Sequence, residues 1–227
     1  MTDPGHRPGV AGRTVLLAGA TSAAGVAVSR ALAAAGARVI VVGSNADRLR
    51  GLTDQVPDAA GYVCDLARFD EVTALAQKVH AEHGPIDGLL HLVGGWRGGG
   101  GLAGQTDEDW DFLHTRVLTT LRNTTRAFID DLHASDAGRL AIVSSVTLEH
   151  PTPGGANYAA AKAAAETWVS AIANGFAKSA PSASATIFVV RALDGLESRL
   201  ATEVTALWDA GAASGSLRRV PLVPGTS

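Results

Sequence analysis

Short apolar runs alternate with helix-patterned segments along most of the chain, and this alternation is the strongest constraint on its fold. Most of the runs are continuously apolar, which is typical of parallel strands covered on both faces. Alternation of this kind predicts an α/β fold built on a doubly wound, mostly parallel sheet. The predicted strands are Thr14–Ala18, Arg38–Val42, Gly61–Cys64, Leu89–Val93, Leu140–Ser144, Thr186–Val190 and Arg219–Leu222.

Between the strands, the sequence predicts five helices with recognisable ends. Gly36 and Gly84 follow the first two helices as C-terminal caps, and Thr106 precedes the third as an N-cap. The helices are Ala24–Ala35, Asp70–His83, a long one from Thr106 to about His133, Asn157–Lys178 and Glu197–Ala210. We expect a single domain over residues 13–222, flanked by flexible tails at residues 1–12 and 223–227.

Composition excludes several classes of function. The 227 residues are 46% hydrophobic and 18% charged, with a net charge of −3, so the chain has no basic field for nucleic acid. No apolar run is long enough to span a membrane, and the N-terminus lacks the apolar region of a signal peptide. Cys64 is the single cysteine, and the histidines have no metal-ligand spacing. We therefore expect a cytoplasmic protein without a bound metal.

The first strand runs into small residues that open a helix, which predicts an anion site. Backbone N–H groups and the helix dipole point at a ligand there, and small side chains let a pyrophosphate approach closely. The candidate residues are Gly19, Thr21, Ser22 and Ala24. The alternative is a plain tight turn in an alanine-rich protein.

The end of the second strand bears on cofactor choice. A carboxylate at this position would accept a hydrogen bond from a ribose 2′-hydroxyl and favour NAD. Here the strand ends in Gly43, Ser44 and Asn45, which do not repel a 2′-phosphate, and Arg48 follows. The pattern favours NADP, although NAD is not excluded and the segment is also compatible with a simple loop.

Tyr158 and Lys162 lie four residues apart on a predicted helix and therefore share one face. A nearby ammonium group stabilises a phenolate, so we expect the lysine to lower the tyrosine pKa towards neutrality. Ser145 follows the fifth strand, where its hydroxyl can meet the same substrate oxygen. A lone Tyr-x-x-x-Lys pair is more often a surface feature, but the upstream serine and the predicted phosphate site favour catalysis.

Together these motifs resemble the classical, single-domain short-chain dehydrogenases/reductases over residues 12–222. The resemblance implies a Rossmann sheet of about seven strands and NAD(P)-dependent carbonyl reduction or alcohol oxidation. It makes Tyr158 the proton donor or acceptor, Lys162 the ligand of the nicotinamide ribose, and Ser145 the partner of the substrate oxygen. It also places Asp65 and Leu66 at the adenine, Val93 and Gly94 beside the cofactor, and implies a homodimer or homotetramer.

Four departures from the family pattern bear on function. Ala23 replaces the middle glycine of the first turn, and only Gly94 remains of the family's Asn-Asn-Ala-Gly motif. The active-site asparagine falls on Val117, and Ala192-Leu193 stand where the family has Pro-Gly, followed by a short substrate-covering segment. We interpret His91, in the altered motif, as a structural residue.

Three further residues are candidate substrate contacts on loops at the same sheet edge: Trp96, Arg97 and His150. The sequence predicts an NADP-preferring oxidoreductase acting on a small carbonyl or alcohol substrate. Two alternatives remain at this point: a non-catalytic nucleotide-binding protein, and a redox-neutral lyase or isomerase on the same scaffold.

Overall fold

A computed structural model describes residues 9–56, 58–209 and 216–223. Its seven-stranded sheet has the order β3-β2-β1-β4-β5-β6-β7, and every neighbouring pair is parallel. The strands are β1 Thr14–Ala18, β2 Arg38–Gly43, β3 Ala60–Val63, β4 Gly88–His91, β5 Arg139–Ser145, β6 Ser184–Val190 and β7 Leu217–Pro221. The predicted doubly wound α/β fold is confirmed.

Helices cover both faces of this sheet. They are α1 Ala23–Ala34, α2 Ala46–Thr53, α3 Phe69–His83, α4 Asp107–Leu113, α5 Thr120–Ala134, α6 Ala156–Ser179 and α7 Glu197–Thr205. One hydrophobic core lies between the sheet and α3, α5 and α6, and the other lies between the sheet and α1, α2 and α7. Among the described helices, none has the length and apolar character that crossing a membrane requires.

The chain order changes direction between β1 and β4, which are neighbours in the sheet although β2 and β3 separate them in sequence. Connections from these two strands leave to opposite sides, so a crevice opens beyond their carboxyl ends. The turns after β1, β2, β4 and β5 meet at this edge. The candidate residues of the sequence analysis follow these strands.

Several predicted boundaries differ from the structure. Strand β4 ends at His91 rather than at Val93, although the N–H of Leu92 still donates to the carbonyl of Ala18 at 2.8 Å. Helix α2 was not predicted, since its eight residues are too few for a clear periodicity. The last helix ends at Thr205 and continues as a 3₁₀ turn to Trp208, and its predicted end at Ala210 lies outside the described residues.

The predicted long third helix is interrupted by a π-helical segment, His114–Thr119, between α4 and α5. The backbone N–H of Thr120 donates to the carbonyl of Thr115, five residues earlier. Thr106 caps α4 as expected, accepting a hydrogen bond from the N–H of Asp109 at 3.1 Å. Thr115 and Arg116 in the π-helical segment, and Thr120 directly after it, line the crevice.

The predicted N-terminal tail differs from the structure at residues 9–12. Val10 is buried, and the N–H of Gly9 donates to the carbonyl of Trp208 at 3.1 Å. The N–H of Gly12 donates to the carbonyl of Gly36 at 2.8 Å, so these residues pack against the protein. The remaining tail positions, 1–8 and 224–227, lie outside the described residues.

Candidate active site

The turn from β1 into α1 forms one wall of the crevice. Gly19 adopts φ +79°, and an added Cβ would lie 2.7 Å from Cγ2 of Val93, so glycine is required there on two grounds. Gly25 packs even more closely, because a Cβ would stand 2.0 Å from the carbonyl oxygen of Ala20. The Ser22 side chain caps α1 by accepting a hydrogen bond from the N–H of Gly25. The positive end of α1 therefore faces the crevice.

A cavity of about 520 Å³ occupies this crevice. Ten of the predicted cofactor-binding residues line it: Gly19, Thr21, Ser22, Gly43, Ser44, Asn45, Asp65, Leu66, Val93 and Gly94. Ala24 is not among the lining residues, because it is buried in the first turn of α1. Ala23 is exposed to solvent and is not among the described residues that line the cavity. The methyl group that replaces the family's glycine therefore does not fill the cavity.

The end of β2 carries polar groups and one cation into this cavity. Asn45 caps α2, since its Oδ1 accepts a hydrogen bond from the N–H of Arg48 at 2.9 Å. The Arg48 guanidinium lies across the cavity wall and donates to the carbonyl of Thr21 at 3.2 Å. Ser44 and Asn45 are exposed beside it. The cavity wall therefore carries several anion-binding groups close together. They are the Ser44 hydroxyl, the Asn45 amide, the Arg48 guanidinium and the N-terminus of α2.

The turn between β3 and α3 lines the same end of the cavity, next to the end of β2. One carboxylate oxygen of Asp65 accepts a hydrogen bond from the N–H of Ala67 at 3.0 Å. Asn123, which is buried on α5, supports this turn from behind by donating to the carbonyls of Leu66 and Ala67, both at 3.0 Å. Asn123 carries no signal in the sequence, because its partners lie more than 50 residues away along the chain.

Ser145, Tyr158 and Lys162 line a second cavity of about 380 Å³. Strand β5 ends at the serine, and the tyrosine and lysine lie one turn apart near the start of α6. The two cavities share Leu92, Val93, Gly94, Gly95 and Leu193, so they form one continuous depression at the sheet edge. The structure therefore brings the three predicted catalytic side chains together beside the predicted cofactor cavity.

Ser145 has a partner that the sequence analysis missed. Its Oγ accepts a hydrogen bond from the N–H of Thr147 at 3.2 Å and lies 2.8 Å from the Thr147 hydroxyl. The nearby serine hydroxyl also acts to lower the pKa of Tyr158. A hydroxyl carries one proton and two lone pairs. If Thr147 donates both its N–H and its O–H, the serine proton is left for Tyr158 or a substrate oxygen.

Burial, rather than the lysine charge, controls the pKa of Tyr158. The phenol is largely withdrawn from water, and this desolvation raises its pKa above the ordinary value of 10.0, against the smaller effect of Ser145. The Lys162 Nζ lies 5.9 Å from the centre of the tyrosine ring and donates to the carbonyl of Val143 at 2.7 Å. The expected lowering of the tyrosine pKa by Lys162 is therefore not seen in the cofactor-free protein.

Lys162 is itself strongly perturbed. Its side chain is buried, and the loss of hydration lowers the pKa of its amine from 10.5 to about 8, although the charge of Glu166 acts in the opposite direction. A buried amine with this pKa exists in both protonation states near neutral pH. It can therefore hold or release a proton within the cavity.

Val117 and His91, which stand where the family has asparagines, are both buried, and only the His91 side chain has a hydrogen-bond partner. Val117 is 2% exposed in the π-helical segment and has no polar group to offer. Thr120 donates its hydroxyl proton to the carbonyl of Arg116 at 2.7 Å, so the Nε2 of His91 must be the donor to Thr120 Oγ1, at 2.9 Å. Burial, together with the Lys162 charge, lowers the pKa of His91 to about 3 and keeps it neutral.

Of the three candidate substrate contacts, Trp96 lines the catalytic cavity and is 66% exposed at its rim. Neither Arg97 nor His150 is among the described residues that line it. The Arg97 guanidinium instead lies 4.0 Å from the ring centre of Phe112 and forms ion pairs with Glu108 and Asp109. In this arrangement the guanidinium contacts acidic side chains outside the described lining of the cavity.

Comparisons with known proteins agree with this geometry. A family model described as short chain dehydrogenase matches residues 13–186. Nodulation protein G of Rhizobium meliloti (strain 1021) is 34% identical over 153 residues, which make up 67% of this chain and 62% of that protein. A short chain dehydrogenase of Pseudocercospora fijiensis (strain CIRAD86) is 31% identical over 158 residues, 67% of this chain and 51% of that protein. The matched segments span less than two thirds of either relative.

The likeness extends to solved structures. The crystal structure of a metagenomic short-chain oxidoreductase in complex with NADP superposes with a TM-score of 0.84. The two proteins are 25% identical, and the superposition covers 96% of this chain and 99% of the other. The family relationship therefore includes the whole sheet and both sets of helices.

Proposed function

The chain belongs to the short-chain dehydrogenase family, and from this premise we propose that it is an NADP-preferring oxidoreductase that interconverts a ketone or aldehyde and an alcohol. The observation that carries the proposal is the position of Ser145, Tyr158 and Lys162 in one cavity that is continuous with the glycine-lined cavity. The departures at Ala23, Val117 and the Ala192-Leu193 segment leave these three side chains in place.

The cofactor cavity fits a dinucleotide. Gly94 borders open space, since a Cβ added there would meet no protein atom within 4 Å. The N-terminus of α1 would hold the pyrophosphate, and Asp65 and Leu66 would contact the adenine. Ser44, Asn45 and Arg48 would hold a 2′-phosphate, which supports NADP over NAD because the site has cations and donors where NAD enzymes carry a carboxylate.

The catalytic side chains have defined tasks in carbonyl reduction. When bound, NADPH supplies a hydride to the carbonyl carbon. Tyr158 donates its proton to the carbonyl oxygen, and its raised pKa keeps the phenol protonated beforehand. Ser145 donates a hydrogen bond to the same oxygen as negative charge develops on it. The Lys162 amine, anchored on the Val143 carbonyl, is placed to bind the nicotinamide ribose and to return a proton towards Tyr158.

The test begins with cofactor binding. Quenching of tryptophan fluorescence should give a lower Kd for NADPH than for NADH. Arg48→Ala should raise the NADPH Kd by about tenfold to a hundredfold, since a charge-assisted hydrogen bond is worth about 1.5–3 kcal/mol, and leave NADH binding unchanged. Arg50→Ala is the matched control, because Arg50 lies on the same helix, pairs with Asp47 and is absent from the described cavity wall. Tighter binding of NADH would contradict the preference.

The second step is turnover on a panel of ketones and aldehydes. We expect NADPH consumption by the wild type, and Tyr158→Phe should abolish it while NADPH still binds. Turnover retained in that variant would remove the proposed acid–base role. Product formed without any cofactor would instead identify a redox-neutral reaction.

We further propose that the protein assembles as a homodimer or homotetramer, as the family resemblance implies. Ala160, Ala163 and Thr167 lie exposed along one side of α6, and their small side chains allow a second helix to approach closely. Light scattering coupled to size-exclusion chromatography would measure the mass in solution. A monomeric mass would contradict this assembly.

A further inference from the structure

Gln105 lies between the glycine-rich loop, defined here as residues 94–101, and helix α4, and both ends of its amide are hydrogen-bonded. We propose that Gln105 is a positioning residue that joins the glycine-rich loop to the start of α6, so that the Trp96 rim and Tyr158 keep a fixed separation. The expected effect on catalysis rests on the proposed function. The hydrogen bonds of Gln105 that support the inference do not depend on it.

The oxygen of the amide caps the helix that carries Tyr158 and Lys162. The N-cap residue of α6 is Gly155, which has no side chain to accept a hydrogen bond from the first turn. Gln105 Oε1 accepts instead from the N–H of Asn157 at 3.1 Å, across 52 residues of sequence. The Asn157 side chain returns a hydrogen bond to the carbonyl of Thr106 at 3.2 Å. Gln105 therefore satisfies a backbone donor of α6 immediately before Tyr158.

The nitrogen of the amide holds the glycine-rich loop. Gln105 Nε2 lies 3.0 Å from the carbonyl oxygen of Gly99, 3.1 Å from that of Gly154 and 3.3 Å from that of Gly101. Its two protons are shared among these three acceptors. One side chain thus contacts the loop and also the 3₁₀ turn Pro153–Gly155 that leads into α6.

The loop needs such a contact because its backbone is unusually free. Gly99, Gly100 and Gly101 all have positive φ, and glycine loses more conformational entropy on ordering than any other residue. The N–H of Gly99 donates to the Gly154 carbonyl at 2.8 Å, and a Cβ on Gly98 would lie 2.4 Å from that same oxygen. The loop and the turn therefore lie in close backbone contact, with Gln105 bonded to both.

Both edges of this junction reach the catalytic cavity, through Trp96 at the loop and Tyr158 at the start of α6. A change in their separation would alter how a substrate carbonyl meets the tyrosine hydroxyl. The end of the cofactor cavity near Ser44 and Asp65 makes no described contact with Gln105 and should be unaffected. Gln105 should therefore influence substrate turnover much more than NADPH binding.

Two substitutions separate the two roles of the amide. Gln105→Glu keeps an oxygen that can cap α6 but removes the donors to the loop, whereas Gln105→Leu removes both. Gln77, which is exposed on α3, provides the matched controls Gln77→Glu and Gln77→Leu. The glutamate variant also serves if the leucine variant folds poorly.

The first measurement is amide hydrogen exchange in the cofactor-free protein, which does not depend on activity. In Gln105→Glu, exchange at Gly99 should rise by roughly tenfold while Asn157 stays protected; in Gln105→Leu, exchange should rise at both. Exchange that is unchanged at both sites in Gln105→Leu would overturn the proposal.

The second measurement is steady-state kinetics on a substrate that the wild type turns over. We expect kcat/KM to fall by roughly tenfold in Gln105→Leu, with NADPH Kd within about twofold of wild type. If amide exchange in Gln105→Leu rises as expected but kcat/KM stays at the wild-type value, the positioning role of Gln105 in catalysis is refuted. Absence of turnover in the wild type itself would refute the proposed function and leave the exchange experiment to test the structural junction.

Discussion

Replacing Lys162 with methionine should make the protein's stability less dependent on pH. Methionine has a similar length and no charge, so the change removes the amine while keeping most of the packing. Lys162 is 7% exposed, and burial lowers the pKa of its amine from 10.5 to about 8. At about 1.36 kcal/mol per pKa unit, holding the charged amine in the folded protein costs about 3 kcal/mol.

The direction of the pH effect follows from proton binding. Between the folded pKa of about 8 and the unfolded value of 10.5, the unfolded chain holds the Lys162 proton more often than the folded protein does. Wild-type stability should therefore rise with pH in this window, and the gain between about pH 7 and about pH 9.5 amounts to about 2 kcal/mol. In Lys162→Met this contribution is absent at every pH.

Urea unfolding at the two pH values measures this gain. The Lys162→Met substitution also leaves the Val143 carbonyl without its partner at 2.7 Å, a loss of about 1–3 kcal/mol that is the same at both pH values. The informative quantity is therefore how much the difference in free energy of unfolding between wild type and Lys162→Met changes from the lower pH to the higher one. Lys178→Met is the matched control, because Lys178 is exposed near the end of the same helix and should show no such change. Parallel pH profiles for wild type and Lys162→Met would refute the buried-amine argument.

Three further predictions concern tyrosine ionisation, the partner of Ser145 and the support of the β3–α3 turn. An ultraviolet titration of the cofactor-free protein should show both tyrosines ionising at a higher pH than free tyrosine, because burial raises the pKa of Tyr158 above 10.0 and brings that of Tyr62 to about 12; ionisation near neutral pH that Tyr158→Phe removes would contradict this. Thr147→Val should lower kcat about threefold to tenfold and Thr147→Ser should restore it, while in a Ser145→Ala background the valine should have no further effect. Asn123→Ala should lower the free energy of unfolding in urea by about 2–3 kcal/mol and weaken NADPH binding; an unchanged stability would exclude its support of the β3–α3 turn.

The strands and most of the helices followed from the sequence because their cause is local. A continuously apolar run such as residues 39–42 is typical of a parallel strand that is buried on both faces. Gly36 and Gly84 follow helices because glycine readily adopts the positive φ that ends them. Helix α2 and the π-helical segment His114–Thr119 had no such signal. The first is short, and the second differs from an α-helix only in which backbone groups pair.

The position of the candidate site was predictable for a similar reason. Parallel strands bring their carboxyl ends to one edge, so motifs that follow β1, β2, β4 and β5 meet there whatever the intervening chain does. The residues that support the site were not predictable. Thr147 was missed although it lies two residues from Ser145, since a threonine in a turn has no distinguishing pattern. Asn123 and Gln105 were missed because each acts on backbone groups about 50 residues away.

Residue types and their spacing along the chain were thus enough to identify the α/β architecture, the glycine turn and the Ser145, Tyr158 and Lys162 set. Burial and long-range contacts were needed for the rest. The pKa of Tyr158 rises because desolvation outweighs the effect of Ser145, and Arg97 pairs with Glu108 and Asp109. A pKa and a side-chain partner depend on the surrounding atoms in space, and most of those atoms come from distant parts of the chain.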